Sequence, residues 1–204
     1  MKLDFETYST RNEFSANTKK YFVESIHLKH DYYSFEFGIN ITKNGKPDAE
    51  IRGYAFDEDA NEDNNFGIEI IADNLACDAG NAIRTMIRSD FYGDILAGTL
   101  LADVFSCYIS KVYVWPEYRV RGIGKFMLAN LKDILQYAFN INTRCITIVP
   151  KPQRPGTDAW ENDPDPDGEK LKLMIAILEK VGYRQIDKTG VWACKELGGL
   201  KGVW

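Results

Sequence analysis

The sequence predicts a mixed α/β (α+β) protein with a mostly antiparallel central sheet and flanking helices. Apolar and polar residues alternate across 33–41, as in a half-buried strand, and Asn44 and Gly45 then indicate a tight hairpin turn before a return strand. Across 107–149 a strand pattern, a glycine-bearing turn, a helix pattern and a second strand pattern follow one another. That order predicts a right-handed crossover between two parallel strands.

Length and composition indicate one globular domain over 1–204. The chain has 204 residues and 45% of them are hydrophobic, which suffices for one substantial core. The net charge of −5 argues against a general nucleic-acid surface, so no nucleic-acid partner is expected. No apolar run reaches the about 18 residues that a membrane span needs, and no leader pattern opens the chain. We therefore expect a cytoplasmic protein with no membrane partner.

Cysteine and histidine usage predicts no metal site. The four cysteines are scattered among mostly apolar neighbours, which favours buried thiols in a reducing compartment. His27 and His30 lack a third ligand at a suitable spacing.

The N-terminal half is predicted to be a polar arm followed by an antiparallel meander. Residues 1–20 are polar with scattered aromatic residues, which indicates an arm ordered only where those rings dock. Strands are predicted over 32–42 and 49–56, and the alternation of large apolar residues predicts another over 66–72.

A helix is predicted over 78–89, with Asp78 as its candidate N-cap. Residues 94–103 fit a helix and a strand equally well. The acidic cluster that starts at Asp57 is typical of a solvated loop, although it could also attract a cationic substrate.

Residues 150–168 form a long loop rich in proline and aspartate. Such loops inside a domain are often functional, so Trp160 and the acidic residues could close over a cationic acceptor. The alternative is a solvated linker that its prolines stiffen. An amphipathic helix is predicted over 169–181, two short strands over 183–194, and a loose tail over 195–204.

The most informative stretch passes from a strand into a helix through a turn. Val112 and Val114 alternate with Tyr113 as on a strand, and apolar residues fall at helical spacing from Ile123 onward. The turn at 119–124 therefore presents unpaired N–H groups at a helix N-terminus, which is a place that binds anions.

The residue types in this turn suit a phosphate. Gly122 and Gly124 allow close approach to the backbone, and Arg119, Arg121 and Lys125 add positive charge. The pattern lacks the Gly-Lys-Ser/Thr ending of a P-loop and the third glycine of a dinucleotide fingerprint. A nucleoside triphosphate and NAD are therefore disfavoured, while a turn whose glycines serve only packing stays an alternative.

The pattern Arg119-x-x-Gly122-x-Gly124, after Val114-x-Pro116, resembles the pyrophosphate-binding motif of the GNAT superfamily of N-acetyltransferases. Gly182-Tyr183 also resembles the Gly-Phe that commonly ends the last helix of that family. The resemblance implies a GNAT-like sheet with a splayed parallel strand pair, and acetyl-CoA as cosubstrate. The implied cofactor-binding residues are Val112, Tyr113, Val114, Arg119, Val120, Arg121, Gly122, Ile123, Gly124 and Lys125.

The catalytic residues depart from the family pattern. Leu178 stands where many members carry a tyrosine that protonates the leaving thiolate. Tyr108 and Ser110 stand where members often place a carboxylate or histidine base, so they are the candidate catalytic residues, although a hydroxyl is a poor base at its ordinary pKa.

The resulting hypothesis is direct attack of a primary amine on acetyl-CoA, with no acyl-enzyme and no metal. The acceptor is a small-molecule or peptide amine, and the acidic loop favours a cationic one. Two alternatives stay open: a non-catalytic CoA-binding or protein-interaction module, and an unrelated α/β binding protein with a chance glycine turn. The sequence also leaves a homo-oligomer open.

Overall fold

The computed structural model describes residues 7–16, 19–31, 33–42, 47–58, 67–89, 104–155 and 160–194. The strands are β1 (Thr7–Ala16), β2 (Lys19–Asp31), β3 (Ser34–Thr42), β4 (Pro47–Asp57), β5 (Val104–Val114), β6 (Asn142–Ile148), β7 (Gln153–Pro155), β8 (Trp160–Asn162), β9 (Arg184–Gln185) and β10 (Trp192–Cys194). The helices are α1 (Ile68–Leu75), α2 (Cys77–Ile87), α3 (Ile123–Phe139) and α4 (Glu169–Lys180), with a 3₁₀ turn at Pro116–Tyr118.

Among the described residues, the central sheet has eight strands in the order β1–β2–β3–β4–β5–β6–β10–β9. Neighbours from β1 to β5 are antiparallel, β5 and β6 are parallel, and β6, β10 and β9 are antiparallel again. Helix α3 connects the parallel pair, as a crossover requires. This confirms the predicted mixed α/β class with a mostly antiparallel sheet and one parallel pair.

Helices cover both faces of the sheet. The first core cluster joins α3 and α4 to one face, because Met127 and Leu131 on α3 pack with Leu178 on α4 and with Ile51 and Ile109 of the sheet. The second cluster joins α1 and α2 to the other face, and its buried members include Phe56, Ile68, Ala79, Ile83, Tyr108 and Cys145. Each buried strand therefore supplies alternate residues to the two layers.

Most predicted elements are confirmed with small shifts of their ends. The strands expected over 32–42 and 49–56 are β3 and β4. The strand–turn–helix–strand unit is β5, α3 and β6. The helix expected over 78–89 is α2, and the one over 169–181 is α4.

The strand predicted over 66–72 is wrong, because α1 occupies Ile68–Leu75. The apolar residues of this run fit the period of a strand as well as that of a helix. Ile68 and Ala72 lie one helical turn apart and are buried, and Ile71 and Leu75 pack beside them on the same face. That spacing suits a helix packed on a sheet, and the tertiary contact decides between the two periods.

Three other expectations are corrected. Strand β1 occupies Thr7–Ala16, where a polar arm was expected. The N-cap of α2 is Ala76, and Asp78 lies in the first turn without capping it. Cys77 is exposed, whereas the other three cysteines are buried as predicted.

The loop predicted over 150–168 contains the hairpin of β7 and β8, which forms a separate two-stranded sheet. Asn44, Gly45, residues 94–103 and the tail at 195–204 lie outside the described residues.

Candidate functional site

The parallel pair of strands stops pairing before β5 ends. The last register pair is Ile109 with Ile148, where β6 ends, while β5 continues to Val114. Pro150 follows β6 and cannot donate to a ladder. The edge of β5 that pairs with β6 as far as Ile109 therefore extends past the end of β6, over Val112 to Val114.

A β-bulge lies where this extension begins. Ile109 pairs with Gly53 on β4 and Lys111 pairs with Arg52, so Ser110 is the extra residue between them. The Ser110 hydroxyl donates to the Arg52 carbonyl oxygen at 3.2 Å. A bulge disrupts the ladder locally, so the regular pairing of β5 with β4 is interrupted at Ser110.

The turn after β5 ends at a helix N-terminus that no side chain in the described part of the chain caps. Gly122 is the N-cap of α3 and has a left-handed φ of 82°, and Val120 is also left-handed at 61°. The first helical hydrogen bond runs from the Phe126 N–H to the Gly122 carbonyl at 2.9 Å. The N–H groups just before Phe126 therefore have no acceptor within the helix, and the positive end of its dipole lies there.

Space around the two glycines differs. A β-carbon on Gly122 would meet no atom of the described residues within 4 Å, so the turn is open above it. A β-carbon on Gly124 would lie 3.4 Å from the Val114 side chain, so this glycine brings α3 close to the end of β5.

Helix α4 offers an internal comparison, because its N-terminus is filled by the chain itself. Its N-cap Gly168 is also left-handed, at 68°. Asp165 accepts from the Lys170 N–H at 3.0 Å and from the Leu171 N–H at 2.9 Å. These bonds, first that to Leu171, lower the pKa of the Asp165 carboxyl. A carboxylate thus occupies at α4 the position that no described side chain occupies at α3.

Aromatic rings hold two cations beside the open turn. Arg119 donates from Nε to the Val114 carbonyl at 3.0 Å, and its guanidinium carbon lies 5.4 Å from the Tyr113 ring centre. Arg121 lies 5.3 Å from the Tyr118 ring centre. Both distances are within the range of a cation–π contact. These contacts fix both guanidinium groups against tyrosine rings that lie shortly before α3 in the sequence.

The structure buries the first candidate catalytic residue. Tyr108 is only 3% exposed in the second core cluster. Burial raises the pKa of its hydroxyl well above the ordinary value, and the charges of Asp78 and Tyr54 act in the same direction. A higher pKa is the wrong direction for a base, and Ser110, the second candidate, already donates to a carbonyl.

Leu178, which stands where the family pattern has a tyrosine, occupies a core position. Leu178 is fully buried, and the nearest tyrosine along the chain, Tyr183, is 1% exposed. Burial raises the pKa of the Tyr183 hydroxyl well above its ordinary value. Its oxygen has no hydrogen-bond partner among the described residues. Neither residue is placed to protonate a thiolate.

Partners in the loop and in α4 take up most of the described acidic residues of the loop. Glu161 pairs with Arg154 at 3.2 Å, and Asp163 pairs with Lys170 at 2.8 Å. Asp165 accepts hydrogen bonds from two N–H groups at the N-terminus of α4. The hairpin itself lies beside β5, with Cα atoms of β7 within 8 Å of that strand. These contacts place the loop next to the site but weaken its acidic residues as an argument for a cationic acceptor.

Charged residues on β4 and β5 form a strip next to the bulge, and no local sequence pattern predicts it. On β4, Ala49 and Ile51 pack in the first core cluster, so Glu50 and Arg52 face the other side of the sheet. On β5, Val112 and Val114 pack against that cluster, so Lys111 also faces the other side. Burial lowers the pKa of Lys111, Arg52 lowers it further, and Glu36 and Glu50 oppose the shift. Only the cross-strand register brings these residues together.

The described residues contain no cluster of three histidine, cysteine or carboxylate side chains that could hold a metal. Within the same part of the chain, no helix is long and apolar enough to cross a bilayer. No protein-family model matches this chain, and no curated protein is significantly similar to it.

Proposed function

We propose that this chain is a GNAT-like acyltransferase, which binds acetyl-CoA and moves the acetyl group to a primary amine by direct attack. One observation carries the proposal: β5 extends past its pairing with β6, and the turn that follows β5 ends at the N-terminus of α3, which no described side chain caps. A long ligand with an anionic end and an amide-bearing arm suits such a continuous edge and turn.

The pyrophosphate is assigned to the turn. Backbone N–H groups from Val120 to Lys125 would donate to its oxygens, and the dipole of α3 would add to the attraction. Arg119 and Arg121, which aromatic rings hold beside the turn, would supply charge-assisted hydrogen bonds. The open space above Gly122 leaves room for the phosphates.

The pantetheine arm is assigned to Val112, Tyr113 and Val114, along the edge of β5 beyond Ile109. This route brings the thioester to the bulge at Ser110. A backbone N–H outside the regular ladder is a suitable donor to the carbonyl oxygen as it gains negative charge.

Transfer then needs orientation more than acid–base help. The nitrogen of a neutral amine attacks the thioester carbon, the C–S bond breaks, the CoA sulfur leaves as a thiolate, and the amine loses a proton to solvent. Because a thioester is already activated, positioning and the oxyanion donor carry much of the rate. Water protonates the thiolate in this scheme, since Leu178 cannot.

A second candidate function is a non-catalytic CoA-binding or protein-interaction module on the same fold. The burial of Leu178 and the raised pKa of Tyr108 favour it, because they remove the expected acid and the first candidate base. The cofactor site is common to the transferase and the CoA-binding module, and turnover separates these two.

Calorimetric titration of the full chain with acetyl-CoA, CoA and 3′-dephospho-CoA tests the shared cofactor site. Binding in the micromolar range supports it. No heat with any of the three contradicts the transferase and the CoA-binding module, and favours the protein-interaction module. A thiol-release screen against polyamines, aminoglycosides, peptide N-termini and lysine peptides follows. CoA release with one acceptor class supports the transferase, and binding with no release in any class favours the module.

A further inference from the structure

Lys111 combines three features that the proposed transfer does not use. It is the first residue after the bulge at Ser110, on the part of β5 that runs beyond its pairing with β6. It is half-buried. It also lies directly opposite Arg52, so two cations face each other across neighbouring strands.

Two like charges directly opposite each other in a sheet destabilise the pair. Glu50 offsets part of this cost, because it forms an ion pair with Arg52 on the same face of β4. The surroundings of Lys111 therefore disfavour its charged form, through burial and through Arg52. A lysine that is partly desolvated beside another cation is the usual environment of a nucleophilic amine.

We propose that Lys111 is an internal acetyl acceptor, so that the protein acetylates its own β5 strand beside the thioester end of the cofactor site. This inference rests on the proposed function, because it needs acetyl-CoA bound along β5.

The step balances without any further reactant. The neutral Nζ of Lys111 attacks the thioester carbon of acetyl-CoA and forms the amide C–N bond. The C–S bond breaks, CoA leaves as a thiolate, and the proton lost by Nζ passes through solvent to the thiol. Acetylated Lys111 carries no charge, so the electrostatic repulsion between Lys111 and Arg52 disappears. The acetyl group then occupies the sheet face next to the bulge.

The test is incubation of the purified full chain with acetyl-CoA, followed by intact-mass measurement and peptide mapping. The expected result is one added acetyl group per chain, located at Lys111. Lys111→Arg keeps the positive charge and should lose the label. Lys180→Arg, on the exposed end of α4, should keep it. The wild-type map decides alone if Lys111→Arg does not fold.

A second variant separates catalysis within the protein from chemical acetylation. Gly122→Asp places a carboxylate in the turn assigned to the pyrophosphate and leaves Lys111 intact, so the label should disappear with it. Equal labelling of Lys111 in this variant would overturn the inference.

Calorimetry on the same samples distinguishes the two possible failures. If acetyl-CoA binds but the label is absent, or is spread over exposed lysines, the inference is wrong and the cofactor site stands. If acetyl-CoA does not bind, the proposed function fails and the inference fails with it.

Discussion

Gly53 on β4 lies so close to the main-chain carbonyl of Tyr108 on β5 that no β-carbon fits between the two strands. A β-carbon there would also stand 2.5 Å from the ring of Phe37. Gly53 is the register partner of Ile109, next to the bulge at Ser110. The close approach of β4 and β5 at this glycine fixes where the ladder changes register, and hence where the bulge lies.

Gly53→Ala is therefore expected to lower the free energy of unfolding by about 1–3 kcal/mol, as for overpacking in a well-packed core. Urea unfolding followed by circular dichroism measures it. Gly190→Ala is the matched control, because a β-carbon there meets no atom of the described residues within 4 Å. Equal stability of Gly53→Ala and Gly190→Ala would contradict the packing at the bulge.

Tyr183→Phe is expected to stabilise the protein by about 1 kcal/mol, because it removes a buried hydroxyl that lacks a partner among the described residues. The ring remains in the first core cluster. Tyr183→Leu, which removes the ring, should instead destabilise the protein. The midpoint of urea unfolding measures both effects. A clear loss of stability in Tyr183→Phe would mean that the hydroxyl has a partner.

A buried ion pair joins β6 to the end of β4. Arg144 Nε lies 3.2 Å from Glu58 Oε2 without the alignment of a hydrogen bond, and the two side chains are only 11% and 7% exposed. Ser106 donates to the other carboxylate oxygen at 2.5 Å. Both oxygens of this buried carboxylate are thus in contact with a polar partner.

Arg144→Met should cost about 3–5 kcal/mol of stability, because it leaves Glu58 buried without its cation. The control is Arg154→Met, which breaks a pair whose side chains are about half exposed. Such a surface pair contributes about 0–1 kcal/mol. Thermal unfolding that responds equally to both substitutions would contradict the burial of the Arg144–Glu58 pair.

Asp165→Asn should destabilise the protein near neutral pH and matter less in acid. Hydrogen bonds from the N-terminus of α4 hold the folded-state pKa of Asp165 below its ordinary value. Its charge therefore stabilises the fold above that ordinary value, and the stabilisation is lost as pH falls through the lowered pKa. Thermal unfolding across this pH range checks the sign. Asp167→Asn, which removes a charge from the same loop outside these two hydrogen bonds, is the control.

The sequence identified the turn at α3 because the signal there is local. A strand pattern, two glycines and a helix pattern lie within a few residues, so each can be recognised without knowledge of the distant parts of the fold. The fold class follows similarly from the alternation across β3 and the order of β5, α3 and β6. Helix α1 was misread because its short apolar run fits two periods, and packing against the sheet decides between them.

The rest of the candidate site depends on pairing between distant strands. The bulge at Ser110 exists because of how β4 aligns with β5, and Lys111 meets Arg52 only through that register. Asp163 and Asp165 look like solvated or substrate-attracting acids until α4 supplies their partners. Local patterns carry no information about such pairings.

The most direct test of the central claim compares two glycines in calorimetric titration with acetyl-CoA. Gly122 and Gly168 are both N-caps with left-handed φ and open space, so aspartate should strain the two positions similarly. Gly122→Asp should abolish binding, because its carboxylate blocks the turn and repels the pyrophosphate. Gly168→Asp should bind as the wild type does. Binding that survives in Gly122→Asp, or no binding in the wild type, would contradict a cofactor site at α3.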